Sequence, residues 1–163
     1  MHGENLLLNV LVVFFARCLL VLLFLPFSAL DKLLNAKQAV DQAATATHSR
    51  SLATVLLCAG FAIEVVMPLA ILTGVADRLA AVILAGYCAI TALLWKQFWK
   101  APDFRLKGAS QGRDTFWDFL KNLALAGGFL LLAFGATATG VGRFLDHPLA
   151  SSHPYALSEP VGR

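Results

Sequence analysis

Four stretches of the chain, at about 6–30, 52–73, 79–99 and 116–139, are each long and apolar enough to cross a bilayer. A membrane-crossing helix needs about 20 predominantly apolar residues. In lipid the backbone must satisfy its own hydrogen bonds, so such runs become helices unless they close into a barrel. Barrel strands alternate apolar and polar residues, and these runs do not. The sequence therefore predicts an all-α integral membrane protein: four antiparallel helices within residues 1–146, with a short outer hairpin loop between the second and third. A flexible tail, 147–163, follows, in which Pro148, Pro154 and Pro160 prevent continued helix. Composition agrees, with 58% hydrophobic and 14% charged residues. A soluble domain carries roughly 25% charged residues. Disorder is excluded, and a nucleic-acid partner has no basis. The first run does not read as a cleaved signal, because Met1-His2-Gly3-Glu4-Asn5 has no positive charge and Arg17 interrupts the apolar stretch.

Orientation follows from the basic residues. Lys32, Lys37, Arg50, Lys96, Lys100, Arg105, Lys107, Arg113 and Lys121, nine of thirteen, fall in or beside the first and third connections. Arg78, Arg143 and Arg163 lie on the other side, and Arg17 is within a helix. The positive-inside rule then places loops 31–51 and 100–115 in the cytoplasm and both termini outside the cell membrane. Trp95, Phe98, Trp99, Phe116 and Trp117 gather at the same boundary, as an aromatic belt does.

Two ionisable residues lie deep in apolar runs, Arg17 and Glu64. A charge at the bilayer centre costs about 2.5–3.5 kcal/mol on insertion scales, so each is expected to face the protein interior. Arg17 precedes Leu30 by 13 residues and Glu64 follows Leu52 by 12, which gives matching depths on straight antiparallel helices. The expectation is an Arg17–Glu64 pair, serving either to lock two helices or to bind a ligand. Near the cytoplasmic face, Asp31, Lys32, Asp118, Lys121 and Asn122 form a second expected polar cluster. Ala81, Ala85 and Ala89, with Ala124 and Gly128, offer small residues for close helix contact.

Several chemistries lack residues to carry them. His2, His48, His147 and His153 all lie outside the apolar runs, which disfavours a haem held between membrane histidines. Cys18, Cys58 and Cys88 sit on three different helices without a C-x-x-C pair and read as structural thiols. No metal set, phosphate loop or dinucleotide fingerprint is present. No cofactor is evident from the residues, and a quinone is the one candidate kept open.

Arg17 followed by Phe27-Ser28-Ala29-Leu30-Asp31-Lys32-Leu33-Leu34-Asn35 resembles the opening of DoxX-family membrane proteins. Glu64, then Pro68-Leu69-Ala70-Ile71-Leu72-Thr73-Gly74 and Arg78, is similar to that family's second-helix pattern. Phe116-Trp117-Asp118-Phe119-Leu120-Lys121-Asn122 running into Gly127-Gly128 is similar to its fourth helix. Two departures stand out. Ala29 replaces a frequent glycine, and Gly140-Val141-Gly142-Arg143-Phe144-Leu145-Asp146 lacks a serine found in the family's closing motif.

The resemblance implies association with quinone-linked thiosulfate oxidation. On that basis the leading expectation is an accessory or scaffold subunit of a respiratory or thiol- or sulfur-linked redox system, without a redox centre of its own. Its partners would be lipid and other membrane or redox subunits. The alternatives are a quinone- or small-molecule-binding catalytic subunit using Arg17 and Glu64, and a small transporter. Whether the chain is an enzyme, and whether it self-associates, stay open at this point.

Overall fold

Pro26 has no N–H to give a helix, and the first apolar run breaks around it. The computed structural model describes residues 2–137 and 139–156, apart from the side chains of residues 2–5, 42 and 46. In it, α1 (His2–Val21) leads into a π-type segment, Leu23–Ser28, where Leu25 leaves helical geometry at φ −117° and ψ 109°. α2 (Ala29–Leu34) then resumes. The uninterrupted helix expected over 6–30 is thus corrected. The connection at 31–51 is largely helical: α3 (Ala36–Thr47) turns at His48 and folds back on α4 (Arg50–Thr73).

α4 ends where Gly74 takes a left-handed conformation, φ +77°, the usual residue for closing a helix. After three residues α5 (Asp77–Trp95) runs back, so α4 and α5 form the expected hairpin. The end of the bundle at residues 74–76 is called the hairpin end below, and the end at residues 96–110 the loop end. A single 3-10 turn, Phe98–Lys100, begins the third connection.

The fourth long helix, α6 (Gln111–Phe134), starts and stops five residues earlier than the expected 116–139. Its start is capped. Ser110 Oγ accepts from the Arg113 N–H at 3.1 Å, and the Asp103 carboxylate accepts from Gln111 N at 2.8 Å and Gly112 N at 3.0 Å. Its end is Gly135, with φ +74°. A short α7 (Thr139–Asp146) then folds against α6. Gly140 lies so close that a Cβ there would sit 1.5 Å from the Phe134 carbonyl oxygen.

Four helical segments are long and apolar enough to cross a membrane: Leu6–Leu34, Arg50–Thr73, Asp77–Lys100 and Gln111–Phe134. No strand occurs among the described residues. α5 is central. Its Ala80, Ala81, Leu84, Ala85 and Cys88 form one buried cluster with Ile71 of α4 and Ala126, Phe129 and Ala133 of α6, and its Ala92 is buried as well. Helices associate in lipid through close van der Waals contact, and small side chains permit it. α1 is different: Leu7, Leu8, Leu11, Val12, Phe14 and Phe15 are exposed, and among its described side chains only Arg17 and Val21 are buried.

Candidate functional site

Arg17 and Glu64 do not meet, and the expected pair is corrected into two pairs at different depths. The depth argument took the first helix as straight, with Leu30 level with Leu52. The break at Leu25 and the continuation through α2 and α3 set the register differently. Lys32, not Leu30's end of the helix, comes level with Glu64, and Arg17 lies farther toward the hairpin end.

The inner pair is built on Glu64, which is 2% exposed. Lys32 Nζ donates to both carboxylate oxygens at 2.7 Å. Glu64 Oε1 also accepts from Ser28 Oγ at 2.9 Å and from the Tyr87 hydroxyl at 2.8 Å. Ser28 in turn accepts from Lys32 Nζ at 3.0 Å. Ser28 and Lys32 are four residues apart, so both project from one face of the chain toward α4. Phe24 closes the cluster on the core side, its ring 6.3 Å from Tyr87 and 5.7 Å from Phe129. The Lys32 side chain is 20% exposed and is the cluster's accessible edge.

The outer pair joins Arg17 to Asp77, at 2.7 Å, in the first turn of α5, where a carboxylate also suits the helix dipole. Arg17 donates from its other terminal nitrogen to the Ile71 carbonyl at 2.6 Å. Asp77 is fully buried. What covers it is the chain beyond α7. Ser152 donates to Asp77 from its backbone N–H at 2.8 Å and from its hydroxyl, while the hydroxyl oxygen accepts from Arg17 at 2.7 Å. The tail read from the sequence as flexible is therefore docked over the hairpin end as far as residue 156, and its remainder, 157–163, lies outside the described residues. Tyr155 donates to the Leu72 carbonyl. Burial pushes the Tyr155 phenol above its usual range, with the Arg17 cation pulling the other way.

The expected loop-end cluster divides. Lys32 belongs to Glu64, and Asp31 accepts from Asn35 at 2.7 Å. Asp118 pairs with Lys96 at 3.1 Å and with Lys121 at 3.3 Å, and Asn122 donates to the Asp118 carbonyl at 2.9 Å. No buried side-chain nitrogen or oxygen lacks a hydrogen-bond partner among the described residues. Nor do three or more His, Cys, Asp or Glu residues gather there as a metal set would.

Sequence reasoning missed Ser28, Asp77, Tyr87, Lys96 and Ser152. Two of these left a signal. The Ser28–Lys32 spacing marks a shared face, and a tyrosine hydroxyl inside an apolar run needs a buried partner. Ser152 left none, since its contact spans 75 residues of sequence.

Four membrane-length helices, with two buried ion pairs tying the first to the second and third, define a multi-pass integral membrane protein. The DoxX family model matches residues 12–97, more than half of the chain, and the chain belongs to the DoxX family. The fourth-helix and closing-glycine likenesses lie beyond the matched segment. No curated protein and no solved structure matches the chain.

Proposed function

We propose that this chain is an accessory or scaffold subunit of a respiratory or thiol- or sulfur-linked redox system, with no redox centre of its own. The observation that carries the scaffold half is the closure of both intramembrane ion pairs. Each buried carboxylate is neutralised by a cation of the first span and saturated with hydroxyl or backbone donors from within the chain. Such groups hold helices in register. The redox half rests on the family resemblance, which is analogy. The exposed leucines and phenylalanines of α1 suit contact with lipid and with neighbouring subunits. Purification in mild detergent followed by identification of co-purifying chains tests the proposal. A stoichiometric redox subunit supports it, and recovery of the chain alone from native membranes counts against it.

The proposal includes orientation in the cell membrane. With Lys32 assigned to Glu64, eight basic residues still belong to the loop end, against Arg78 and Arg143 on the hairpin side. The positive-inside rule places the loop end in the cytoplasm and both termini outside. A fluorescent reporter that matures only in the cytoplasm, fused after Arg163, should stay dark.

A second reading is favoured by the accessible edge of the inner pair. Lys32, Ser28, Tyr87 and Glu64 offer donors and acceptors to a quinone oxygen or another small polar headgroup approaching from the Lys32 side. Glu64→Gln keeps the shape and removes the charge. If the variant complex assembles normally but loses quinone reduction, the cluster acts in binding or turnover. Unchanged turnover leaves it a structural tie.

A further inference from the structure

The hairpin end carries a short segment, residues 151–156, of which the scaffold reading uses only the Ser152 donors to Asp77. It has a shape fixed partly by its own hydrogen bonds. Ser151 Oγ accepts from the His153 N–H at 2.9 Å, His153 is left-handed at φ +50°, and the Ala156 N–H donates to the His153 carbonyl at 3.1 Å. The resulting turn is read at three separate points by groups of the bundle. Ser152 presents an N–H and a hydroxyl to Asp77 and an acceptor to Arg17. The Pro154 ring lies against Gly74, where a Cβ would come within 2.9 Å of two ring carbons, so only glycine leaves the space. Tyr155 donates to the Leu72 carbonyl, one of those left without a helix partner near the end of α4, and its ring lies 6.3 Å from Phe14 of α1.

These contacts come from three helices. Phe14 and Arg17 are on α1, Leu72 and Gly74 close α4, and Asp77 opens α5. Together they make a receptor for a seryl turn followed by proline and tyrosine, and its occupant here is the chain's own segment. We infer that the hairpin end is a peptide-docking site occupied in cis by residues 151–156, and that this segment is a latch holding the first span against α4 and α5. On the N-terminal side of Arg17, α1 has little apolar packing of its own, since Leu11, Val12, Phe14 and Phe15 are exposed, whereas Leu20 and Val21 beyond it pack on the core. Removing Ser152's hydroxyl takes a partner from both members of the Arg17–Asp77 pair at once.

Cys18 reports on the latch. It neighbours Arg17 and lies one turn from Phe14, on the face that Tyr155 covers, and it is partly buried. Cys88 is fully inside the α5 core and serves as the control. The experiment is labelling of the full-length protein in nanodiscs with a water-soluble maleimide, followed by peptide mapping. Ser152→Ala should raise the Cys18 labelling rate several-fold. Tyr155→Phe, which deletes one hydroxyl and keeps the ring, should raise it less, and Cys88 should stay unlabelled in both. An unchanged Cys18 rate in Ser152→Ala overturns the proposal. So does a parallel rise at Cys88, because the segment would then be a general stabiliser and not a latch.

Discussion

The first span and the α5–α6 pair solve the same problem, adhesion between helices in lipid, by opposite means. α5 presents alanines and one cysteine, α6 presents Ala126, Phe129 and Ala133, and the two bury a continuous apolar seam. The first span leaves most of its leucines and phenylalanines outside, sets Val21 and Phe24 into the core, and ties itself to the bundle by Arg17, Ser28 and Lys32. Close packing is insensitive to charge but intolerant of added volume. An ion pair tolerates nearby volume but depends on every member of its set. The two regions should therefore fail in different ways.

The largest effect belongs to the inner pair. Glu64→Leu leaves Lys32 without a counter-charge, and breaking a buried pair by removing one partner costs about 3–5 kcal/mol. Replacing both, as Lys32→Met with Glu64→Leu, should cost much less, because no charge is stranded. Ser28 can then return its hydroxyl to a backbone carbonyl one turn earlier. Unfolding in a graded detergent mixture measures both. Equal losses for the single and double variants would mean that Lys32 finds water, and the contrast between the regions would weaken.

The seam should fail by volume. Ala81 is fully buried on α5. Ala81→Leu forces extra methyl groups into a close contact, and overpacking of this kind costs typically about 1–3 kcal/mol. The same measurement applies. A neutral Ala81→Leu would show that α5 and α6 part easily, which the packing does not allow.

Legibility in the sequence divides along the same line. The number of membrane-length helices, the class and the α4–α5 hairpin were readable, because each depends on local hydropathy and on turn residues such as Gly74. The small-residue contacts were readable in part: Ala81 and Ala85 are buried as expected, while Ala89 is half-buried and Ala124 exposed, with Ala126 and Ala133 taking the buried face of α6. The ion pairs were half readable. Arg17 and Glu64 announced themselves as charges that need partners, but the choice of partner depended on helix register. The first helix was read straight through Pro26, and the shift introduced there depends on how α2 and α3 continue beyond it. Asp77 was read as part of the connection before a third helix beginning at Leu79, where a carboxylate calls for no partner, whereas it opens α5. Ser152 was hidden by distance: the proline-rich stretch reads as a tail, and only the fold brings it back over α4 and α5.

Asp103 tests where the packed region begins. Its carboxylate takes two N–H groups at the start of α6. Loss of a helix cap costs typically about 1 kcal/mol. Asp103→Ala should therefore loosen residues 110–114 in hydrogen exchange while Phe129 and Ala133, farther along the same helix, keep their protection. Loss of protection along the whole of α6 would show that the seam depends on its cap.

The smallest effect is expected from Lys96, Asp118 and Lys121. Their side chains are 35%, 43% and 72% exposed, in contrast to the fully buried Asp77. Exposed pairs are worth about 0–1 kcal/mol because water and salt screen them and long side chains lose freedom in making them. Lys121→Ala should thus change stability by only a few tenths of a kcal/mol, and Lys96→Ala by somewhat more, since Lys96 is the less exposed partner. Raising the salt concentration should shrink both differences. These values assume that the first two turns of α6 stand in water or headgroups. If either variant costs as much as Glu64→Leu, those turns lie in hydrocarbon, where nothing screens Asp118. The loop-end pair would then join the first span as a region held by charge.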